Sequence, residues 1–211
     1  LAEHSHRLLG MKIGLLSIVL FIWTWLREAR ASVRTLARLL LLVVILQGVL
    51  GGARVRFDWL NTEASTNLLG QSFAVIHACG AMVVLGILVA VTLLSSRLWI
   101  EGTPKLVEAV PQRIRNWGQI ACAAVFLQIL LGAIMRHAEA GLAIARFPLA
   151  NATSLFPSYW NFDVGIHFAH RVGAVLVTVV LMVFLTRAWQ HVSTRKAFGW
   201  PILCLIAALA L

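Results

Sequence analysis

Histidine is the residue type in this chain best suited to chemistry, because an imidazole exchanges protons near neutral pH and binds metal ions. Four of the seven histidines lie near the start of a long apolar run. These four are His6, His77, His167 and His170. If such runs cross a membrane, an imidazole inside one is costly and is usually functional. Whether these four side chains can act together depends on the elements that carry them.

The composition places those elements in a membrane. Hydrophobic residues make up 60% of the 211 residues and charged residues 12%, whereas soluble domains carry about 25% charged residues. Five apolar runs approach the ~20 residues that a helix needs to cross the hydrocarbon, and none alternates as a barrel strand would. They cover 8–26, 39–55, 72–95, 117–135 and 164–186, and a sixth begins near 198. The sequence predicts an all-α integral membrane protein folded as a transmembrane helical bundle.

The formal net charge of +10 reflects topology and not nucleic-acid binding. Basic residues lie in short loops between the apolar runs, and the aromatic residues follow no basic face. Most of the lysines and arginines fall in three alternate loops, 27–38, 96–116 and 187–197. The positive-inside rule puts these loops in the cytoplasm and the N-terminus outside. We therefore expect a multi-pass protein of the inner (cytoplasmic) membrane, surrounded by lipid.

This orientation brings the four histidines to one depth. His6 begins the first span, His77 lies about five residues into the third, and His167 and His170 lie near the start of the fifth. At 1.5 Å per residue, all four are within roughly 10 Å of the outer, periplasmic boundary. Interfacial histidines bonded to backbone or water are the alternative explanation. The other three histidines, His4, His137 and His191, are interpreted as ordinary polar residues.

Haem is the ligand that best suits histidines placed in this way. Two imidazoles on facing helices can bind its iron axially. Zinc is disfavoured because no carboxylate or thiolate completes a tetrahedral set. The three cysteines, Cys79, Cys122 and Cys204, are isolated within apolar runs and indicate no disulfide or metal framework.

Charged neighbours of the histidines add to this hypothesis. Glu3 and His6 are three residues apart and share a helix face, where a carboxylate can orient an imidazole or move protons. A solvated glutamate at a helix start is the alternative. Arginines near the outer boundary can pair with anionic haem propionates, or can simply extend their charge to the interface. They are Arg7, Arg54, Arg56, Arg136 and Arg171.

Glycines and a short repeat suggest close packing and duplication. The segments 47–52 and 128–133 each begin with glutamine and contain glycine, which lets a helix or a flat porphyrin approach the backbone. His6-Arg7 and His170-Arg171 begin the first and fifth spans, which indicates two related halves. A partner for His170 is then expected on a helix beyond residue 211. We also expect that the chain is truncated at both ends.

At these residues the sequence resembles the haem A synthase family. The resemblance rests on six motifs in family order: Glu3-x-x-His6-Arg7-Leu8-Leu9-Gly10; Gln47-Gly48-x-Leu50-Gly51-Gly52; His77; Gln128-x-x-Leu131-Gly132-Ala133-x-x-Arg136-His137; the segment from Ala140-Gly141-Leu142-Ala143 to Phe147-Pro148-Leu149; and His167-Phe168-x-His170-Arg171. Together these motifs extend over most of the chain.

The resemblance implies eight helices in two pseudo-repeated four-helix halves, of which this chain lacks the first helix and the last. Residues 1–95 would form the N-terminal half with the substrate haem site, 96–116 a cytoplasmic linker, and 117–211 the C-terminal half with a haem b cofactor. The implied catalytic residues are Glu3, His6 and His77, and the implied cofactor-binding residues are His170, His167, Arg7, Arg171 and Arg136. His6, His77 and His170 would bind haem iron.

The implied reaction is the oxidation of a methyl group of haem O to the formyl group of haem A, for cytochrome oxidase. Haem O is then the substrate. Haem O synthase, an electron donor and a second copy of the chain are the expected partners. Two other classes remain open: a b-type cytochrome for electron transfer or quinol oxidation, and a non-catalytic haem-binding assembly factor. The single depth of the histidines disfavours the first, and Glu3 beside His6 disfavours the second.

Overall fold

Long helices account for most of the chain in the computed structural model, which describes residues 2–60, 68–101, 110–191 and 199. The helices are α1 (Ala2–Arg27), α2 (Ala31–Leu60), α3 (Leu68–Ser95), α4 (Arg97–Glu101), α5 (Gln112–His137) and α6 (Phe162–Gln190), with a 3-10 turn at Ala140–Leu142. The described residues contain no strand. All these helices except α4 contain a span long and apolar enough to cross a membrane. The prediction of an all-α membrane protein is confirmed.

Several helices are longer than the apolar runs that predicted them. α2 begins at Ala31 and not at residue 39, so Arg34 and Arg38 lie within the helix. It also continues to Leu60, past the end of the predicted run at residue 55. Helical hydrogen bonding depends on backbone geometry and not on hydrophobicity, so a helix can continue past the hydrocarbon until a residue breaks it. The sixth predicted run lies outside the described residues, apart from Gly199.

The chain divides into two compact units, Leu1–Ile100 and Glu101–Leu211, which are described separately. In unit 1, α2 packs antiparallel against α3 and also packs against α1. Its core is the buried cluster Leu40, Val84, Ile87 and Val91. No Cα atoms of α1 and α3 lie within 8 Å of each other in the described part of unit 1. The two backbones are therefore not in close contact, although Leu20 of α1 packs against the buried cluster that includes Val84 and Ile87 of α3.

The short connection between α1 and α2 is fixed to the end of α3. Arg30 forms an ion pair with Glu28 at 2.7 Å, and its Nη1 donates a hydrogen bond to the carbonyl oxygen of Leu94 at 2.7 Å. Hydrogen bonds from Arg30 lower the pKa of the Glu28 carboxyl from its ordinary value of 4.5 to about 2. Glu28, Arg30 and the Leu94 carbonyl thus connect the α1–α2 turn to the end of α3, and we call this group the charged clamp.

In unit 2, α5 and α6 form an antiparallel pair. A buried cluster of Val110, Ile114, Leu185 and Ala188 joins one end of the pair. At the other end, α6 begins at Phe162 because the side chain of Asn161 accepts a hydrogen bond from the Val164 backbone at 2.8 Å. Such an N-cap satisfies one of the amides that a helix start leaves unpaired. The cap sets the start of α6, so that His167 and His170 lie in its second and third turns.

Candidate functional site

In unit 1 the structure brings together two of the predicted histidines, one from α1 and one from α3. The ring centres of His6 and His77 are 6.2 Å apart, and the ring planes are at 86°. His77 is half-buried and His6 is exposed. The backbones of α1 and α3 are not in close contact, so the two helices meet at this point through these side chains.

The spacing and the angle of the two rings are those of an edge-to-face ring contact. Two imidazoles this close together can both contribute to one metal site, since metal–imidazole bonds are about 2.0 to 2.1 Å long.

A glycine on α2 makes room for the His77 ring. A Cβ atom added at Gly51 would lie 3.3 Å from Cε1 of His77. A side chain here would press on the imidazole and change its direction. Gly48 and Gly52 of the same motif face open space, since an added Cβ would meet nothing within 4 Å. The glycine-rich end of α2 therefore contains one position that matters to the histidine and two that do not contact it.

Unit 2 places His170 in the same kind of environment. A Cβ added at Gly132 of α5 would lie 2.8 Å from Cε1 of His170, closer than real side chains approach. The amide nitrogen of Gln128, one helical turn earlier, lies 3.1 Å from Nδ1 of His170 and donates to the His170 carbonyl oxygen at 2.9 Å. The imidazole of His170 is thus bounded by a glycine and by a side-chain amide.

The two units share this arrangement residue for residue. Each contains a glutamine and a glycine four residues apart on one helix, facing a glycine and a histidine three residues apart on the next. Gln47 and Gly51 face Gly80 and His77, and Gln128 and Gly132 face Gly173 and His170. Both glutamine Oε1 atoms are buried without a hydrogen-bond partner in the described residues.

His167 has a different environment from His170. It is buried, its Nε2 accepts from Nε of Arg171 at 3.1 Å, and its Nδ1 lies 3.3 Å from the Ile144 backbone nitrogen. Nη2 of Arg171 donates to the Ile144 carbonyl at 2.9 Å, and its guanidinium lies 5.7 Å from the Phe147 ring centre. A neutral imidazole accepts at only one nitrogen, so the charge-assisted bond from Arg171 is the stronger contact. His167 and Arg171 fasten the segment after α5 onto α6.

The remaining predicted residues lie near the pair or at helix ends. Glu3 is in the first turn of α1, and its side chain is outside the described residues. Arg7 is exposed beside His6, and Arg136 is exposed in the last turn of α5. His137 ends α5 and does not lie in a loop, because the helix continues past the apolar run.

The glycines of segments 47–52 and 128–133 predict close packing, but their sequence alone indicates no role for the glutamines that begin these segments. The signal was present: a glutamine four residues before a glycine, followed on the next span by a histidine three residues before a glycine, occurs twice. Spacing alone does not show which residues of two helices meet, so the contact required the structure.

These features define a class: a multi-pass helical membrane protein whose histidines are held at helix–helix contacts. The family model described as "cytochrome oxidase assembly protein" matches residues 1–211, and the chain belongs to this family. The chain is also similar to three proteins named heme A synthase. Those relatives are 29% identical in Halalkalibacterium halodurans, 30% in Alkalihalophilus pseudofirmus and 29% in Symbiobacterium thermophilum.

The three matches cover 98%, 90% and 100% of this chain, respectively. They cover 65%, 60% and 67% of the relatives, so the chain spans about two thirds of their length. No solved structure matches the chain significantly.

Proposed function

We propose that this chain carries the haem sites of a haem A synthase, which oxidises a methyl group of haem O to a formyl group for cytochrome oxidase. The observation that carries the proposal is the His6–His77 pair, whose ring centres are 6.2 Å apart, in a chain similar to proteins named heme A synthase. The origin of the two imidazoles on different helices supports it, since a haem can be held between side chains of facing helices. Haem O is proposed as the substrate, held in unit 1.

In unit 1, His6 and His77 would hold the substrate iron from opposite faces. Glu3 is one helical turn before His6, so its carboxylate is on the same helix face. Conversion of a methyl to a formyl group with an oxygen from water follows R–CH3 + H2O → R–CHO + 4 H⁺ + 4 e⁻, so an oxidant of the O2 class must take up these four electrons as well as those of the proposed electron donor. Protons must therefore leave the site, and Glu3 is the proposed group that accepts a proton or positions the water.

In unit 2, His170 is the residue that would hold the iron of a b-type haem. The fit rests on the cradle in which a Cβ at Gly132 would meet the ring, and on the buried acceptor Oε1 of Gln128 beside Nδ1. A bound haem b would supply one-electron transfer. His167 is proposed as a positioning residue, and Arg171 as the group that holds it.

Exposed arginines near the histidines are the proposed partners of the haem propionates. Arg7 adjoins His6, and Arg136 lies in the last turn of α5, four residues after Gly132. Both side chains are exposed, and we place them at the proposed outer face of the inner membrane. An electron donor, haem O synthase and a second copy of the chain are the proposed partners.

The experiment is to purify the intact protein from cells supplied with haem O, extract its haems and separate them by chromatography. We expect haem B together with haem O or haem A. Haem B alone, even with haem O supplied, would favour a plain b-type cytochrome and contradict the proposal. A Glu3→Ala variant that binds haem normally and still makes haem A at full rate would remove Glu3 from the mechanism.

A further inference from the structure

The side-chain amide of Gln128 lies beside a histidine, and the proposed function does not assign it a role. Gln128 is half-buried on α5, and its nitrogen lies between the carbonyl oxygen of His170 and Nδ1 of the same residue, at 2.9 and 3.1 Å. Its oxygen is buried without a hydrogen-bond partner in the described residues. An unsatisfied buried acceptor destabilises the folded state, because it loses its hydrogen bond to water and gains no other. This cost in an otherwise well-packed contact calls for a reason.

The position of the amide is set by the absence of a side chain at residue 173. A Cβ added at Gly173 would lie 2.3 Å from Oε1 of Gln128. Glycine at 173 and glycine at 132 therefore clear the space for the amide and for the imidazole, respectively. Both glycines lie at the contact of α5 and α6, so the helices themselves hold the glutamine against the histidine.

The hydrogen bonds of this amide define the tautomer of the ring. With the amide nitrogen facing Nδ1, Nδ1 is an acceptor and the proton of the neutral imidazole is on Nε2. A metal bound at Nε2 requires the other tautomer, in which Nδ1 carries the proton and needs an acceptor. Oε1 of the same amide is such an acceptor, and its hydrogen-bonding capacity is unused. A half-turn of the amide would bring Oε1 to Nδ1–H and would give up the hydrogen bond from Nε2 of Gln128 to the His170 carbonyl oxygen.

We propose that Gln128 is a positioning residue for His170, and that its amide selects the ring tautomer according to whether a metal is bound at Nε2. With Nε2 unligated, the amide nitrogen faces the ring and the His170 carbonyl. With Nε2 ligated, the amide oxygen accepts from Nδ1–H and increases the electron density that the ring donates. The inference rests on the proposed function, since it takes His170 as a haem ligand.

The test replaces the amide by a side chain of similar size without hydrogen-bonding capacity. Gln128→Met keeps the volume and removes the acceptor. Gln119→Met, on the exposed face of the same helix, is the matched control. We expect Gln128→Met to weaken binding of added haem B to haem-depleted intact protein by about 10- to 100-fold, the usual effect of losing the partner of a ligating histidine. The control should bind as the wild type does.

A second variant distinguishes an electronic role from a packing role. In Gln128→Glu a carboxylate accepts from Nδ1–H more strongly than an amide does, so the bound haem should be retained and its midpoint potential should become more negative. A residue that only fills space would not move the potential. This variant also keeps the inference open to refutation if Gln128→Met does not accumulate.

The outcomes separate the inference from the function on which it rests. Wild-type protein that binds no haem B would overturn both. Wild-type protein that binds haem B, with Gln128→Met equal to the Gln119→Met control in affinity and potential, would overturn the inference alone. An unchanged potential in Gln128→Glu would do the same. Weaker binding in the first variant together with a more negative potential in the second would support it.

Discussion

The two units contain the same contact and differ in what surrounds it. In both, a glutamine and a glycine of one helix face a glycine and a histidine of the next. In unit 1 the ring of the histidine, His77, lies 6.2 Å from the ring of a second histidine, His6. In unit 2 the histidine, His170, is bonded to a glutamine, and the nearby His167 is tied to Arg171. The same contact between two helices therefore positions a histidine in both units, and the residues around that histidine differ between the units.

The contacts between helices relate a second pair of helices in the internal repeat. The sequence paired His6-Arg7 with His170-Arg171, which relates α1 to α6. The contacts relate α3 to α6 as well, because His77 and His170 are each followed three residues later by a glycine that receives a glutamine. The repeated element is therefore smaller than a half-bundle: it is a pair of antiparallel helices carrying one imidazole.

The largest expected effect comes from removing one member of the unit 1 pair. His6→Ala should abolish haem A formation, because a single imidazole from α3 leaves the substrate iron held on one face. His4→Ala, two residues earlier and also exposed, is the matched control and should leave haem A at the wild-type level. The measurement is haem A extracted per amount of purified protein. Equal haem A from both variants would remove His6 from the site.

The next effect tests the glycine cradles of the two units against each other. Gly132→Ala places a methyl group 2.8 Å from the His170 ring, whereas Gly51→Ala places one 3.3 Å from the His77 ring. Overpacking costs about 1 to 3 kcal/mol, and a movable ring relieves it by turning away. We expect Gly132→Ala to lose most of the haem B, Gly51→Ala to lose part of the haem O, and the control Gly48→Ala to lose neither. Haem content by absorbance checks the order, and the reverse order would break the comparison.

A smaller effect is expected at the contact of Arg171 with His167 in unit 2. Arg171→Leu removes the hydrogen bonds to His167 and to the Ile144 carbonyl. Hydrogen bonds from charged groups contribute about 1.5 to 3 kcal/mol, so the segment after α5 should detach more often. Hydrogen exchange at the Ala143 amide, which donates to the Ala140 carbonyl oxygen in the same segment, should accelerate by at least about tenfold. Arg146→Leu, an exposed arginine in the same segment, should leave the exchange unchanged. Equal exchange in the two variants would contradict the fastening role.

The smallest effect concerns the charged clamp of unit 1. The pKa of Glu28 is lowered from 4.5 to about 2, so its ion pair contributes stability that is present above pH 4.5 and is lost as the pH falls towards 2. Both side chains are partly exposed, so the contribution is below about 1 kcal/mol. Thermal unfolding of Glu28→Gln should match the wild type at pH 2 and occur at a slightly lower temperature at pH 6. A difference that grows as the pH falls would reverse the sign and refute the assignment.

The sequence predicted the helices and their approximate positions, because apolar runs of span length are a strong signal. It also predicted that His6 and His77 share a depth, which follows from the rise of a helix. It did not predict that Gln128 meets His170 or that Arg171 holds His167. Those contacts depend on the rotation of each helix about its axis and on the crossing of neighbours, which one helix's spacing does not determine.

The helix ends were predicted less well than the helix centres. The N-terminal part of α2 carries Arg34 and Arg38, which polarity alone assigns to a loop. In the structure the guanidinium of Arg34 lies 4.7 Å from the Trp25 ring centre, and Arg38 donates to the Thr35 hydroxyl. Such contacts stabilise polar turns of a helix beyond the hydrocarbon, and hydropathy does not detect them.

We have proposed that the two units hold different haems through the equivalent histidines His77 and His170. The most direct measurement is the haem content of His77→Ala and His170→Ala, each purified as the intact protein from cells supplied with haem O. The account predicts that His77→Ala retains haem B and loses haem O and haem A, while His170→Ala loses haem B and retains haem O. Loss of the same haem in both variants, or of neither, would contradict the account.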